Sequence, residues 1–101
     1  MEKRTPHYSL TEIQAEVAKR GVLAFTRTAL DNGRAMGLSV QEMAEVVCSM
    51  TLANFYKSMT TYHDHTAWQD VYHAIISSNK IAYIKVSNPE GRGPVIQFKE
   101  K

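Results

Sequence analysis

A single cysteine, Cys48, among 101 residues rules out an internal disulfide and any cysteine-based metal framework. Its place along an apolar helical stripe predicts a small core residue, with a reactive thiol as the lesser alternative. No stretch approaches the roughly 18 apolar residues that span a bilayer. Met1 to Leu10 also lacks the apolar run of a secretory signal, so a cytoplasmic location with no membrane partner is expected. Nor is there a strong excess of one charge: 12 basic against 10 acidic side chains leave a formal net charge of +2. No low-complexity tract argues for disorder. The G-x-S-x-G, phosphate-loop and dinucleotide fingerprints are absent, which counts against those enzyme classes.

What is present divides the chain into two halves of different period. At this length a single domain over residues 1–101 is expected, burying about two-thirds of its unfolded surface. In the first half, Ser9 and Glu12 have capping-box spacing, Leu10, Ile13 and Val17 share a helical face, and Gly21 follows Lys19 and Arg20. A helix over about residues 10–20 follows. Val22 to Phe25 reads as a connector or a short strand. Thr26 or Thr28 caps a second, weaker helix over Thr28 to Met36, which carries Asn32 and Gly33 in its interior, and Gly37 stops it. Ser39 and Glu42 then cap a third helix with Val40, Met43, Val46, Val47 and Met50 as its apolar stripe.

After Thr51 the period becomes two. Asn54–Tyr62, Trp68–Ile76, Ile81–Ser87 and Val95–Lys99 predict four strands, separated by polar turns at His63–Thr66, Ser77–Lys80 and Asn88–Gly93. The fold class is therefore α+β, with N-terminal helices on one face of an antiparallel sheet. Parity assigns the faces. Ile84, Ile96 and Phe98 look toward the helices, so Tyr83, Lys85, Gln97 and Lys99 share the open side. On the first strand the same rule groups Phe55 with Lys57 and Met59, and Tyr56 with Ser58. Positive charge is uneven as well. Residues 51–101 hold six basic side chains against four acidic ones, while residues 1–50 hold six of each. A local cationic face of this kind suits an anionic partner.

Each candidate group also has an ordinary structural reading. Lys57, Lys85 and Lys99 taken singly are solvated or snorkelling lysines; their convergence with Tyr83 offers cations and a phenol to a phosphate. Lys85 and Gln97 are accordingly candidate contacts to a phosphate backbone, and Arg92, in the loop after the third of these strands, is another. His63-Asp64-His65 is a polar turn in preference to a metal site, which needs three or four convergent ligands, and no metal is expected. His7 and His73 read as isolated histidines.

At Asn54 to Tyr72, NFYKSMTTYHDHTAWQDVY, the chain resembles the MqsR family of toxins, which share a RelE-like ribonuclease fold. Met1-Glu2-Lys3-Arg4-Thr5-Pro6-His7 and the closing Phe98-Lys99-Glu100-Lys101 also match, so the likeness spans nearly the whole chain. The resemblance implies helices packed on a curved antiparallel sheet and a type II toxin that cleaves mRNA without a cofactor. It further implies cutting at GC-containing triplets such as GCU, and restraint by a cognate antitoxin of the MqsA type in a hetero-oligomer. Carried over by position, Lys57, Gln69, Tyr83 and Lys99 are the active-site candidates, and Met59 helps form a base-binding surface. Three departures stand out: Asn54 replaces an acidic residue, His63 widens a D-H element to H-D-H, and the 88–93 loop is longer and lacks the family's histidine.

The implied chemistry activates a ribose 2′-hydroxyl, stabilises an anionic phosphorane and protonates the leaving 5′-oxygen. Lys57 and Lys99 would supply charge, one of them also moving a proton if its proton affinity is lowered. Tyr83 would orient the phosphate or act as acid or base, and Gln69 would position the backbone. The alternative is a non-catalytic nucleic-acid-binding regulator that uses the same face, with a metal hydrolase as a distant third.

Overall fold

A computed structural model describes residues 1–89 and 92–101. In chain order it contains β1 (Glu2–Lys3), α1 (Leu10–Arg20), α2 (Arg27–Ala35), α3 (Val40–Ser49), β2 (Phe55–Thr60), β3 (Trp68–Ile75), β4 (Ile81–Ser87) and β5 (Val95–Glu100). The strands form one antiparallel sheet in the order β1-β2-β3-β4-β5, so each strand pairs with the next in sequence.

The helix ends follow their local chemistry. The Ser9 hydroxyl accepts from the Glu12 amide, and Ser39 and Glu42 make the full reciprocal capping box. Thr26 caps α2, settling the choice between the two threonines. Gly21 ends α1 at φ 56, a backbone state that suits a residue without Cβ. Gly33 survives inside α2 for a packing reason. A Cβ there would lie 2.2 Å from Met43 Sδ, so the glycine lets α3 approach. Between α1 and α2, Gly21–Ala24 is a 3-10 turn, and Phe25 makes a single parallel bridge to Ile96. The segment is thus a connector that touches the sheet at one residue.

The face assignment for β4 and β5 holds. Ile84 pairs with Phe98 and Val86 with Ile96. All four side chains are buried in one cluster with Ile13 and Val17 of α1, Ala29 of α2 and Met43 and Val47 of α3. Burying each such side chain contributes about 1.5–3 kcal/mol, and this fixes which sheet face the helices cover. Among the described residues no helix packs across the opposite face, which α2 borders only along its β5 edge.

Four details differ from the sequence reading. β1 was not foreseen; two residues are too short to show a period, and edge pairing to Ser58 and Met59 makes it a strand. Asp70 is buried, its carboxylate accepting the His7 and Tyr8 amides at 2.9–3.0 Å, which pins the segment after β1 to the sheet. Cys48 is exposed instead of core, because α3 turns its Met43–Val47–Met50 stripe inward and leaves position 48 outside. Its thiol faces the Gln14 carbonyl at 3.5 Å, and desolvation raises its pKa, which disfavours the reactive thiolate. Finally, the β2–β3 register shifts between Phe55 and Lys57. Of the anticipated Asn88–Gly93 turn, residues 90 and 91 lie outside the described residues.

Candidate functional site

That register shift determines the site. A bulge places two residues of one strand opposite one of its neighbour, breaking the alternation on which parity depends. Phe55 therefore packs against the core, while Lys57 pairs with Val71 on the open face. Tyr56 leaves the side that alternation predicts and stacks on His73, with ring centroids 4.5 Å apart. The expected groupings of Phe55 with Lys57, and of Tyr56 with Ser58, are both overturned.

On the open face the cross-strand pairs run His73 to Tyr83 to Lys99, and Val71 to Lys85 to Gln97. His73 and Tyr83 lie 5.3 Å apart by centroid, and Lys99 Nζ is 5.2 Å from the Tyr83 ring. Tyr56, His73, Tyr83 and Lys99 thus form a ladder across four strands. Val71 is fully buried between its partners Lys57 and Lys85, whose stems cover it while their charges stay outward.

Lys57 Nζ meets Glu2 Oε1 at 2.6 Å, an ion pair supplied by β1. The hydrogen bond to Glu2 raises the Lys57 pKa above its ordinary value; charge coupling to Glu2, Tyr56 and Tyr83 acts in the same direction. Of the two lysines expected to share the charge, Lys57 is thus held as a standing cation and is not the one with lowered proton affinity. His73 moves the other way. Burial first, and Lys101 second, lower its pKa, so its neutral imidazole is favoured. Its Nε2 is buried and has no hydrogen-bond partner.

Two clefts flank these groups. Met59, Gln69 and Lys85 line one with Tyr62 and His65 from the β2–β3 turn. Tyr83, Lys85, Gln97 and Lys99 line the other, of about 380 Å³, against Thr28 and Asn32 of α2. Seven of the eight anticipated residues therefore share this face. Arg92 does not join them: its carbonyl accepts from Arg20 at 3.3 Å, beside the C-terminal end of α1. In the H-D-H turn, the Asp64 carboxylate accepts from the Thr66 amide and hydroxyl, which lowers its pKa. Among the described residues no three His, Cys, Asp or Glu side chains are placed to hold a metal. His7 is not isolated; it stacks on Trp68 at 5.3 Å.

The family model described as motility quorum-sensing regulator, toxin of MqsA, matches residues 5–100. The chain belongs to the MqsR toxin family. The mRNA interferase toxin MqsR of Escherichia coli strain K12 is 40% identical over 101 residues, covering 100% of each chain. For this MqsR family member, sequence reasoning missed Glu2, Tyr56 and His73. Nothing in the local pattern marks Glu2 as the partner of Lys57, 55 residues away. Tyr56 was hidden by the bulge, which leaves no signature in the order of residues, and His73 was read as isolated because the rings it stacks with lie on other strands.

Proposed function

We propose that this chain is an endoribonuclease toxin that cleaves mRNA on its open sheet face, with residues 1–101 acting as one toxin domain. The observation that carries this reading is the convergence of Lys57, Tyr83 and Lys99 on the one sheet face that the helices leave uncovered, in a chain of the MqsR family. The substrate ribose supplies the nucleophile. Its 2′-hydroxyl attacks the adjacent phosphorus, the 5′-oxygen leaves, and a 2′,3′-cyclic phosphate remains. Lys57, held protonated by Glu2, stabilises the charge that develops on the phosphorane, and Lys99 does the same from beside Tyr83. Tyr83 orients the phosphate or relays a proton, and Gln69 positions the strand next to Met59, where a base is held. Lys85 and Gln97 extend the contact surface.

This mechanism uses no metal and no cofactor. Cutting at GC-containing triplets such as GCU, residence in the cytoplasm and capture by an MqsA-type antitoxin in a hetero-oligomer belong to the same proposal. Among the described residues no helix is long and apolar enough to cross a membrane. Turnover separates the enzyme from a regulator that merely binds RNA. At a hundred-fold excess of a short RNA, the enzyme consumes all of it, whereas a binder retards only the stoichiometric fraction and leaves its length unchanged.

A further inference from the structure

The bulge at Tyr56 has a chemical outcome as well as a structural one. In a regular strand Tyr56 would point toward the helices. Here it stands on the open face, 45% exposed, with one ring face against His73. His73 orders the ring from behind, and the flexible Lys57 side chain is the group that reaches over it. Lys57 Nζ lies over the same ring at 5.5 Å from its centroid, so a base that stacks there displaces the lysine toward the attached phosphate.

We propose that Tyr56, backed by His73, is a platform on which a nucleobase of the substrate stacks, setting the phosphate attached to that nucleotide against Lys57. The proposal rests on the reading of this face as a ribonuclease site and adds a specificity element to it. An aromatic ring next to a lysine offers both halves of what a nucleotide presents, a π-face and a phosphate. Stacking on such a ring changes affinity by about 5- to 150-fold per base.

The His73 environment fits this role. Its imidazole packs between Tyr56 and Tyr83, and its buried Nε2 makes no hydrogen bond, so the ring serves by contact and not by hydrogen bonding. A neutral imidazole also avoids a further positive charge between Lys57, Lys99 and Lys101. His73 is thus a positioning residue, and Tyr56 the group that touches RNA.

The test uses the full chain and a short RNA made uncleavable by deoxyribose at the cut site. 2-Aminopurine is placed in turn at each nucleotide flanking that site. Wild type and Tyr56→Phe should quench the probe at one position and not at the others. Tyr56→Ala should lose that quenching and bind on the order of ten-fold more weakly. On intact RNA, Tyr56→Leu should raise KM more than it lowers kcat, and His73→Ala should weaken the quenching that His73→Phe retains. Thermal denaturation confirms that each variant is folded, as expected at exposed Tyr56 and checked separately at half-buried His73. Unchanged quenching and affinity in Tyr56→Ala overturn the platform. If wild type cuts intact RNA yet quenches the probe nowhere, the platform alone fails; if it neither binds nor cuts RNA, the platform falls together with the functional reading beneath it.

Discussion

The two faces of this sheet are built from alternate residues of the same strands, yet they obey different rules. On the helix-covered face, Ile84, Ile96 and Phe98 are 0–2% exposed, and any well-packed apolar group of the same volume would serve. On the open face, Tyr83, Lys85, Gln97 and Lys99 are interleaved with them at identical spacing, and under the proposed function their identity matters because charge and hydrogen bonding would carry the role. The contrast teaches that strand parity, interrupted at one bulge in β2, keeps the buried groups apart from the polar groups of the candidate site. The buried apolar groups lie on one side of the backbone and the proposed reactive groups on the other.

Substitutions should respect that division. Phe98→Ala opens a cavity in the covered face and should cost about 3–5 kcal/mol of unfolding free energy in chemical denaturation, the largest effect expected here. A loss below 1 kcal/mol would mean that the covered face is not the stabilising one. Lys57→Ala and Lys99→Ala should behave in the opposite way. Each should lower the cleavage rate by on the order of a hundred-fold or more, with the denaturation midpoint near that of wild type. Full activity in either folded variant would remove that lysine from the mechanism.

Subtler effects come from titration. Glu2→Gln removes the largest cause holding the Lys57 pKa up. Because the mechanism needs Lys57 protonated, activity falls as pH rises through that pKa, and the variant's alkaline limb should move to lower pH. An unmoved limb would separate Glu2 from the chemistry. The smallest effect concerns stability. His73 titrates below its ordinary 6.5 in the folded chain. Between the lowered value and about 6.5 the unfolded chain binds more protons, so stability rises with pH in that window and falls as acid is added. His73→Phe keeps the ring while removing the titration, and should flatten this part of the stability curve.

Legibility in the sequence followed the same division. The β4 and β5 faces were readable because their pairing is regular, so alternation maps directly onto burial. The helix caps were readable because Ser9, Ser39 and Glu42 act on atoms three residues away. What could not be read depends on distant parts of the chain. The β2 bulge moves Tyr56 across the sheet without changing a residue, and β1 exists only through its pairing with β2. Gly33 looks like a weak point of α2 until Met43 is packed over it. For the site, parity put Tyr83, Lys85, Gln97 and Lys99 together, family resemblance added Lys57, Met59 and Gln69, and neither revealed the Tyr56–His73 stack. Arg92 lies apart from the other seven because a loop residue has no parity to constrain it.

The most direct test of the proposed chemistry is the identity of the new RNA ends, read by mass spectrometry for one substrate and its single-site deoxyribose variant. The account predicts a 2′,3′-cyclic phosphate and a 5′-hydroxyl from intact RNA, with chelator present. It predicts no cutting at the substituted site and near-normal binding of the variant, which should act as a competitive inhibitor. Efficient cutting of the deoxy-substituted strand, or fragments ending in 5′-phosphate, would contradict it and point to a metal-activated water in place of the ribose hydroxyl.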